Sequence, residues 1–190
     1  MMPNNYKFSL LKNKHMEGQY CYRYPHPAVT TDCVVFGYDG LRLNVLLIER
    51  GGEPYKGCWA FPGGFLNIDE DAPDGARREL MEETGLQVAN IEQLGAFATP
   101  DRDPRERVIS IAYFTLTHVQ DVQGGDDARA ARWFPINQLP PLAFDHQQMF
   151  EQALQRLSDC LKLKTGNFYS GGDFSYEEID MIYFATLTKR

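Results

Sequence analysis

The segment Gly63–Leu86 holds seven carboxylates and two arginines, and it also carries the signals that begin and end a helix. Asp71 can cap this helix, and Pro73 suits its first turn, where a missing N–H costs nothing. Gly85 can supply the left-handed residue at which helices commonly end. The segment therefore predicts one acidic helix that runs from about Asp71 to Thr84.

Apolar and β-branched runs predict strands on both sides of this helix. Upstream, a hairpin and a short aromatic strand are expected, at Ala28–Tyr38, Arg42–Arg50 and Trp59–Phe61. Downstream, we expect two strands, a short strand "ARWFP" and a second helix, with the longer elements within Leu86–Pro100, Arg107–Val119 and Phe144–Leu163. Residues 164–190 fit either a strand or a short helix. These elements predict an α/β fold in which helices cover both faces of one sheet, an α/β/α sandwich.

The composition is that of an ordinary globular chain, since 43% of its 190 residues are hydrophobic and 24% are charged. We expect residues 1–190 to form a single domain, with a core over about 27–162 and a C-terminal extension over 163–190. The net charge of −7 disfavours a nucleic-acid partner, which would need clustered basic residues. No apolar run is long enough to span a membrane and no secretory signal is visible, so a cytoplasmic location is expected. The four cysteines form no CxxC pair, which disfavours a zinc site or a disulfide framework.

Three glutamates of the predicted helix, Glu79, Glu82 and Glu83, are spaced so that they share one helix face. Like charges in this arrangement destabilise an isolated helix, so helix formation gives no reason for them. Mg²⁺ and Mn²⁺ do give a reason, because they bind through a few carboxylate oxygens together with substrate phosphates. Glu70 precedes the helix and can fold back toward this face, where Arg78 can orient a carboxylate. The alternative is a solvated helix face that binds no ion.

The same segment resembles the Nudix box, the signature of hydrolases that cleave nucleoside diphosphates linked to another moiety. Gly64 is followed by five residues and Glu70, and then by seven residues and "RELMEETGL". All nine fixed positions of the signature are filled over 23 residues, and they are Gly64, Glu70, Arg78, Glu79, Leu80, Glu82, Glu83, Gly85 and Leu86. Such a match is far more specific than a single glycine motif. The likeness extends into the preceding "LLIERGGEPYKGCWAFPGG" and covers roughly Pro27 to Lys162.

The resemblance implies a mixed sheet between helices, in agreement with the pattern of elements described above. It also implies that Glu79, Glu82 and Glu83 bind Mg²⁺ or Mn²⁺, with the Gly64 carbonyl as a further ligand. Glu70 and Arg78 would be orienting groups. The implied chemistry is attack of water on a pyrophosphate, in which the cations neutralise phosphate oxygens and lower the pKa of bound water. An acidic chain could bind a polyanion in this way.

The substrate is suggested by the flanks "YPHPAVTTDCVVF" and "DPRERVISIAYFTL", which look like the ADP-ribose pyrophosphatase branch of the family. This resemblance implies hydrolysis of ADP-ribose to AMP and ribose 5-phosphate, and another nucleotide is the alternative. Many relatives pair as dimers, so a homodimer is expected. Other relatives fuse a Nudix-like domain to a winged-helix DNA-binding domain and sense ADP-ribose. Residues 163–190 are too few for such a domain and carry no basic recognition helix, so an enzyme is favoured over a regulator.

The catalytic base in this superfamily often lies outside the box, on a loop near the metal ions. Asp127 in "GGDDARAARWF" is the favoured candidate, with Asp126 beside it. Together with Glu82 and Glu83, Asp127 is expected to determine turnover. The rival candidates lie in the preceding loop, and they are Asp101, Asp103 and Glu106.

Arg50 and Arg105 are candidates to bind substrate phosphate, and an ordinary surface ion pair is the alternative for each. Several aromatic side chains could stack on a base, although simple packing is the more common use of such residues. These are Tyr22, Tyr24, Tyr55 and Phe97. The histidines have no convergent partners in the sequence, and no role is assigned to His26, His118 and His146.

Overall fold

The computed structural model describes residues 23–125, 128–163 and 174–188. Over these residues the chain forms seven strands and three helices. The strands are β1 (Ala28–Tyr38), β2 (Leu43–Arg50), β3 (Trp59–Ala60), β4 (Gly63–Phe65), β5 (Glu92–Phe97), β6 (Val108–His118) and β7 (Ala128–Pro135). The helices are α1 (Ala72–Thr84), α2 (His146–Leu163) and α3 (Tyr176–Thr188).

The sheet is mixed, and β1 lies at its centre. β1 runs parallel to β6 along its whole length and antiparallel to β2 and β4. The main order is β3-β2-β1-β6-β5, and β7 adds to β2 as a further antiparallel neighbour. The pairing of β4 with β1 matters most for function, because β4 leads directly into the acidic helix α1.

Helices cover both faces of this sheet. Successive side chains of β1 point alternately to the two faces and pack against different helices. Cys33 and Val35 face one side, where they share a core with Leu80 of α1. Val34 and Phe36 face the other side and share a core with Met149, Phe150, Ala153 and Leu157 of α2. A strand that is buried on both faces needs this nearly continuous apolar run. The predicted α/β/α sandwich is therefore confirmed.

Most of the predicted elements are found, with differences at their ends. The hairpin has a tight turn in which Asp39 Oδ1 accepts hydrogen bonds from the backbone N–H groups of Leu41 and Arg42. Helix α1 ends as expected, because Gly85 has φ of 72° and its N–H bonds to the Met81 carbonyl. Asp71 occupies the N-cap position, but its side chain makes no capping hydrogen bond. The cap expected from its side chain was therefore wrong.

Two elements could not be predicted correctly from local pattern. Strand β4 consists of two glycines and Phe65, which carry little strand propensity, and its pairing with β1 alone defines it. The ambiguous C-terminal segment contains helix α3, which buries Ile182 and leaves Met181 and Phe184 exposed. Apolar side chains on several sides of α3 hide its period. No helix among the described residues is long and apolar enough to cross a bilayer.

Candidate active site

The acidic face of α1 forms one wall of a cavity of about 370 Å³. Glu79, Glu82 and Glu83 all line this cavity. The Glu82 side chain is 44% exposed, that of Glu79 is 13% exposed, and Glu83 is buried. The Gly63 N–H donates to Glu83 Oε2 at 2.9 Å and so joins α1 to β4. The structure thus brings the three predicted carboxylates to one wall.

Arg78 organises the carboxylates around it. Its guanidinium binds Glu70 through Nε and Nη2, at 3.0 and 2.6 Å. The remaining Nη1 donates to Glu79 Oε1 at 2.7 Å and to Glu82 Oε2 at 3.0 Å. Nη2 also reaches the Phe65 carbonyl of β4 at 3.2 Å. The planar fork of donors therefore fixes two cavity carboxylates and the strand beside them in one arrangement.

Glu70 is held on its other side by the loop that precedes α1. Asn67 N–H donates to Glu70 Oε1 at 2.8 Å. Hydrogen bonds from Arg78 and from the Asn67 backbone lower the pKa of Glu70 to about 2. Glu70 therefore stays ionised and anchors Arg78, which is the arrangement expected of an orienting pair.

Two glycines of β4 allow the carboxylates to approach the strand. A Cβ atom on residue 64 would lie 2.5 Å from Glu79 Oε1, and one on residue 63 would lie 2.7 Å from Asp32 Oδ1. Real Cβ atoms do not come so close to other heavy atoms. Any larger residue at 63 or 64 would displace these acidic groups or the strand itself.

Burial raises the pKa of two carboxyl groups on this wall. The pKa of Glu83 rises to about 8, because of burial and of the nearby negative charges of Glu79 and Asp32. Burial also raises the pKa of Glu79, although its hydrogen bond from Arg78 acts in the opposite direction. Acidic groups that are costly to ionise when alone are stabilised as carboxylates by a nearby cation.

This donor set fits a divalent cation that prefers oxygen ligands. Among the described residues, no three His, Cys, Asp or Glu side chains already converge into a closed metal cage. Mg²⁺ does not need such a cage, because it keeps several waters and binds through one or two carboxylates plus substrate phosphates. The half-buried Glu79 and the buried Glu83, whose negative charges repel each other, supply such carboxylates.

Arg50 and Arg105 both line the cavity. Arg50 is held by a hydrogen bond from its Nε to the Pro54 carbonyl at 2.9 Å, and its guanidinium lies 4.9 Å from the centre of the Phe144 ring. Burial and the nearby Arg105 lower the pKa of Arg50. Two neighbouring cations that face one cavity are suited to a polyanion.

The structure separates the candidates for the catalytic base. Asp126 and Asp127 lie outside the described residues. Asp103 lines the cavity, but Arg105 binds both of its oxygens, at 3.0 and 2.7 Å. Burial would raise the pKa of Asp103, and the hydrogen bonds from Arg105 lower it overall, so Asp103 is a poor proton acceptor. Asp101 and Glu106 are exposed and do not line this cavity.

Sequence reasoning assigned no role to several polar residues that line the cavity, among them Asp32 of β1 and His146 of α2. His146 Nε2 lies 3.6 Å from Asp32 Oδ1, and both residues are buried. Arg102 also lines the cavity and is buried, and its Nε and Nη2 donate to the half-buried Asp145 at 2.9 and 2.7 Å. Asp32 and His146 are far apart in the chain, so their proximity could not be predicted from spacing. The sequence signal for Asp32 was an acidic residue within the apolar run of β1.

The aromatic candidates are less central. Tyr55 packs against Phe144 with ring centres 4.7 Å apart, so it borders the cavity through that ring. Tyr24 lies under the guanidinium of Arg23, and Phe97 is buried in the core. Tyr22 lies outside the described residues. Phe144, which the sequence did not single out, is the aromatic ring that lines the cavity together with Phe61 and Phe65.

Comparison with known proteins identifies the family of this chain. The family model of the NUDIX domain matches residues 26–153. Over 132 residues the chain is 40% identical to an ADP-ribose pyrophosphatase from Methanocaldococcus jannaschii, which covers 70% of this chain and 76% of that relative.

Two other relatives are linked to ADP-ribose by their names. The chain is 34% identical to the ADPR responsive transcriptional repressor NtrR from Acinetobacter baylyi, over 72% of this chain and 56% of the repressor. The crystal structure of the NUDIX domain of Shewanella oneidensis NrtR complexed with ADP ribose is similar, with a TM-score of 0.67 and 34% identity. That similarity covers 70% of this chain and 90% of the other.

Proposed function

This chain belongs to the NUDIX domain family, and on that premise we propose that it hydrolyses the pyrophosphate bond of ADP-ribose to give AMP and ribose 5-phosphate. The observation that carries the proposal is the wall formed by Glu79, Glu82 and Glu83, held in one arrangement by Arg78 and by β4. The identity of 40% to an ADP-ribose pyrophosphatase supports the choice of substrate. We further propose that residues 1–190 form one such domain, which acts in the cytoplasm and pairs as a homodimer.

We propose Mg²⁺ or Mn²⁺ as the required cation. Glu79, Glu82 and Glu83 would hold it together with the carbonyl of Gly64. A bound cation would neutralise charge on the phosphate oxygens and lower the pKa of a bound water. The raised pKa values of Glu79 and Glu83 support this assignment, because a cation offsets the unfavourable burial of their charges.

The side chains of the cavity would then position the substrate. Arg78 and Glu70 keep the carboxylate wall in place, because one guanidinium connects Glu70, Glu79 and Glu82. Arg50 and Arg105 would bind phosphate oxygens from the opposite side. Arg105 would have to divide its donors between phosphate and Asp103, with which it is now paired.

Asp127 is the proposed catalytic base, which takes the proton of the attacking water. The support is by elimination among the rivals, since Asp103 is bound by Arg105 while Asp101 and Glu106 lie outside the cavity. A base must reach the attacking water in the substrate complex, and Asp127→Asn tests whether Asp127 does so.

A second candidate function is an ADP-ribose-responsive regulator, and the identity of 34% to a transcriptional repressor favours it. The net charge of −7 argues against DNA contact by this part of the protein. A hydrolase of another nucleotide is the remaining alternative. The regulator would bind ADP-ribose in the cavity without hydrolysing it. The other hydrolase would turn over a different nucleotide faster than ADP-ribose.

A substrate panel tests the proposal. The full chain would be incubated with ADP-ribose, other nucleotide sugars, dinucleoside polyphosphates and nucleoside triphosphates, each with Mg²⁺, with Mn²⁺ and with a chelator. The proposal expects ADP-ribose to have the highest kcat/KM and the chelator to abolish turnover. A higher kcat/KM for another nucleotide would reassign the substrate. Binding of ADP-ribose without turnover would favour the regulator.

A further inference from the structure

The floor of the cavity contains a histidine in one defined protonation state. His146 begins helix α2, and its ring stacks on Phe61 with ring centres 5.2 Å apart and planes 11° apart. The Phe61 N–H donates to His146 Nδ1 at 3.0 Å. A ring nitrogen that accepts a hydrogen bond carries no proton, so the neutral ring must carry its proton on Nε2. Burial lowers the pKa of His146, in agreement with a neutral ring.

Asp32 lies beside this histidine, and its two oxygens have different surroundings. The Ser110 hydroxyl donates to Oδ2, which fixes the orientation of the carboxylate. The other oxygen, Oδ1, lies 3.6 Å from His146 Nε2, which is too far for a good hydrogen bond. Within the described part of the chain, neither atom has a hydrogen-bond partner. An N–H donor and a carboxylate acceptor thus stand side by side on the cavity floor without satisfying each other.

A group that both donates and accepts hydrogen bonds satisfies both atoms at once. A hydroxyl can accept from His146 Nε2–H and donate to Asp32 Oδ1. A phosphate oxygen would be repelled by the carboxylate. An apolar group would cover both atoms and leave them unpaired, at a cost of about 1–3 kcal/mol each. The chemistry of the pair therefore selects a group that both donates and accepts.

The position of the pair indicates which hydroxyl this is. Gly63 lies next to both acidic groups, because its N–H donates to Glu83 Oε2 and a Cβ built on it would lie 2.7 Å from Asp32 Oδ1. The pair is thus next to the carboxylate wall proposed to act on the pyrophosphate. In a nucleoside diphosphate sugar, the groups that directly flank the pyrophosphate are the two sugars, and their hydroxyls are the donors and acceptors within reach.

We propose that Asp32 Oδ1 and His146 Nε2–H together bind one ribose hydroxyl of the substrate and make the site selective for it. This inference rests on the proposed function for the identity of the substrate. A site built to bind a buried hydroxyl rejects an analogue that lacks it by large factors, because its polar groups are left unpaired. Asp32 and His146 are therefore specificity-determining residues, distinct from the carboxylates on α1.

The test compares ADP-ribose with analogues that lack one ribose hydroxyl at a time. For the wild type, one analogue should show kcat/KM at least about a hundredfold lower than that of ADP-ribose. His146→Asn and Asp32→Ala should lose a similar factor on ADP-ribose, mainly through KM, and little on that one analogue. Asparagine at 146 keeps an acceptor near the Phe61 N–H, so this variant is the one expected to retain the fold. The control is Gln147→Ala, since Gln147 is exposed, hydrogen-bonds to Glu151 and does not line this cavity.

Three results would overturn the inference. The first is a wild type that accepts every deoxygenated analogue as well as ADP-ribose. The second is an equal loss of kcat on all substrates in the variants, which would make Asp32 part of the attack on water. The third is a variant whose loss is restored by more Mg²⁺, which would make Asp32 a metal ligand.

The same comparison separates this inference from the proposed hydrolase activity. If the wild type turns over none of the compounds, their dissociation constants can be measured by calorimetry. A tighter Kd for ADP-ribose than for one deoxygenated analogue, abolished in His146→Asn, would support the hydroxyl site and reject only the hydrolase. Equal Kd values across the set would overturn the hydroxyl site itself.

Discussion

The carboxylate of Glu79 lies directly against the backbone of Gly64. A Cβ atom on residue 64 would lie 2.5 Å from Oε1 and 2.7 Å from Oε2 of Glu79. The same carboxylate accepts a hydrogen bond from Arg78 at 2.7 Å, so it is pressed between a guanidinium and a strand. Position 64 must therefore lack a side chain if Glu79 is to keep this place.

Gly64→Ala should displace Glu79 without unfolding the protein. The added methyl group meets the end of a flexible side chain, which can move aside. A displacement of about 1 Å at a catalytic group can cost on the order of a hundredfold in rate. We expect kcat/KM to fall by about ten- to a hundredfold and the Mg²⁺ concentration for half-maximal rate to rise. Initial rates across a Mg²⁺ titration measure both quantities.

Gly95→Ala is the matched control for this substitution, because a Cβ on residue 95 meets nothing within 4 Å and β5 lies away from the cavity. Its kcat/KM should stay within twofold of the wild type by our estimate, about 0.4 kcal/mol. Equal losses in the two variants would show that the contact between Gly64 and Glu79 has no special role.

Glu82→Gln and Glu83→Gln should each lower kcat by at least about a hundredfold, because a lost ligand removes several kcal/mol of charge stabilisation in the transition state. The melting temperature should hold or rise, because each change relieves repulsion on the helix face. Initial rates at saturating Mg²⁺ measure the change in kcat, and thermal melts measure the change in melting temperature. Near wild-type kcat with unchanged metal dependence in either variant would refute the assignment of this face.

Stability without metal should depend on pH through Glu83. Its pKa rises on folding from an ordinary 4.5 to about 8, so the folded state binds this proton more tightly than the unfolded state. The resulting stability is fully present below pH 4.5 and is lost as the pH rises through about 8. With a chelator present, the melting temperatures of Glu83→Gln and the wild type should be compared from pH 4.5 to about 8. The melting temperature of Glu83→Gln minus that of the wild type should grow as the pH rises. A constant difference would mean that Glu83 has no raised pKa.

Asp127→Asn should lower kcat strongly and leave KM and metal affinity nearly unchanged, because only proton transfer is lost. The acidic limb of the pH–rate profile should also flatten. Asp103→Asn and Glu106→Gln are the parallel variants from the rival loop. If Glu106→Gln abolished turnover while Asp127→Asn had no effect, the base would belong to residues 101–106.

Local spacing was enough to predict the acidic wall. Residues three and four apart on a helix must share a face, and Arg78 lies within reach of Glu79 and Glu82 on the same helix. The apolar and β-branched run Ala28–Tyr38 likewise predicted strand β1. In both cases, neighbours in the sequence are neighbours in space, so no long-range information was needed.

The floor of the cavity could not be predicted in this way. His146 binds the backbone of a residue 85 positions away, and Asp32 binds Ser110 across two parallel strands. Such partners meet only when β1 pairs with β6 and α2 packs on the sheet, and sequence periodicity alone describes neither event. Strand β4 was missed for the same reason, because its glycines are chosen for close approach of Glu79 and Asp32 rather than for strand propensity.

The most direct test of the whole account is the reaction of the purified chain with ADP-ribose and Mg²⁺, followed by mass analysis of the products. The account predicts AMP and ribose 5-phosphate in equal amounts, no products with a chelator, and at least about a hundredfold slower formation by Glu83→Gln. A chain that binds ADP-ribose but forms neither product with Mg²⁺ or Mn²⁺ would contradict it.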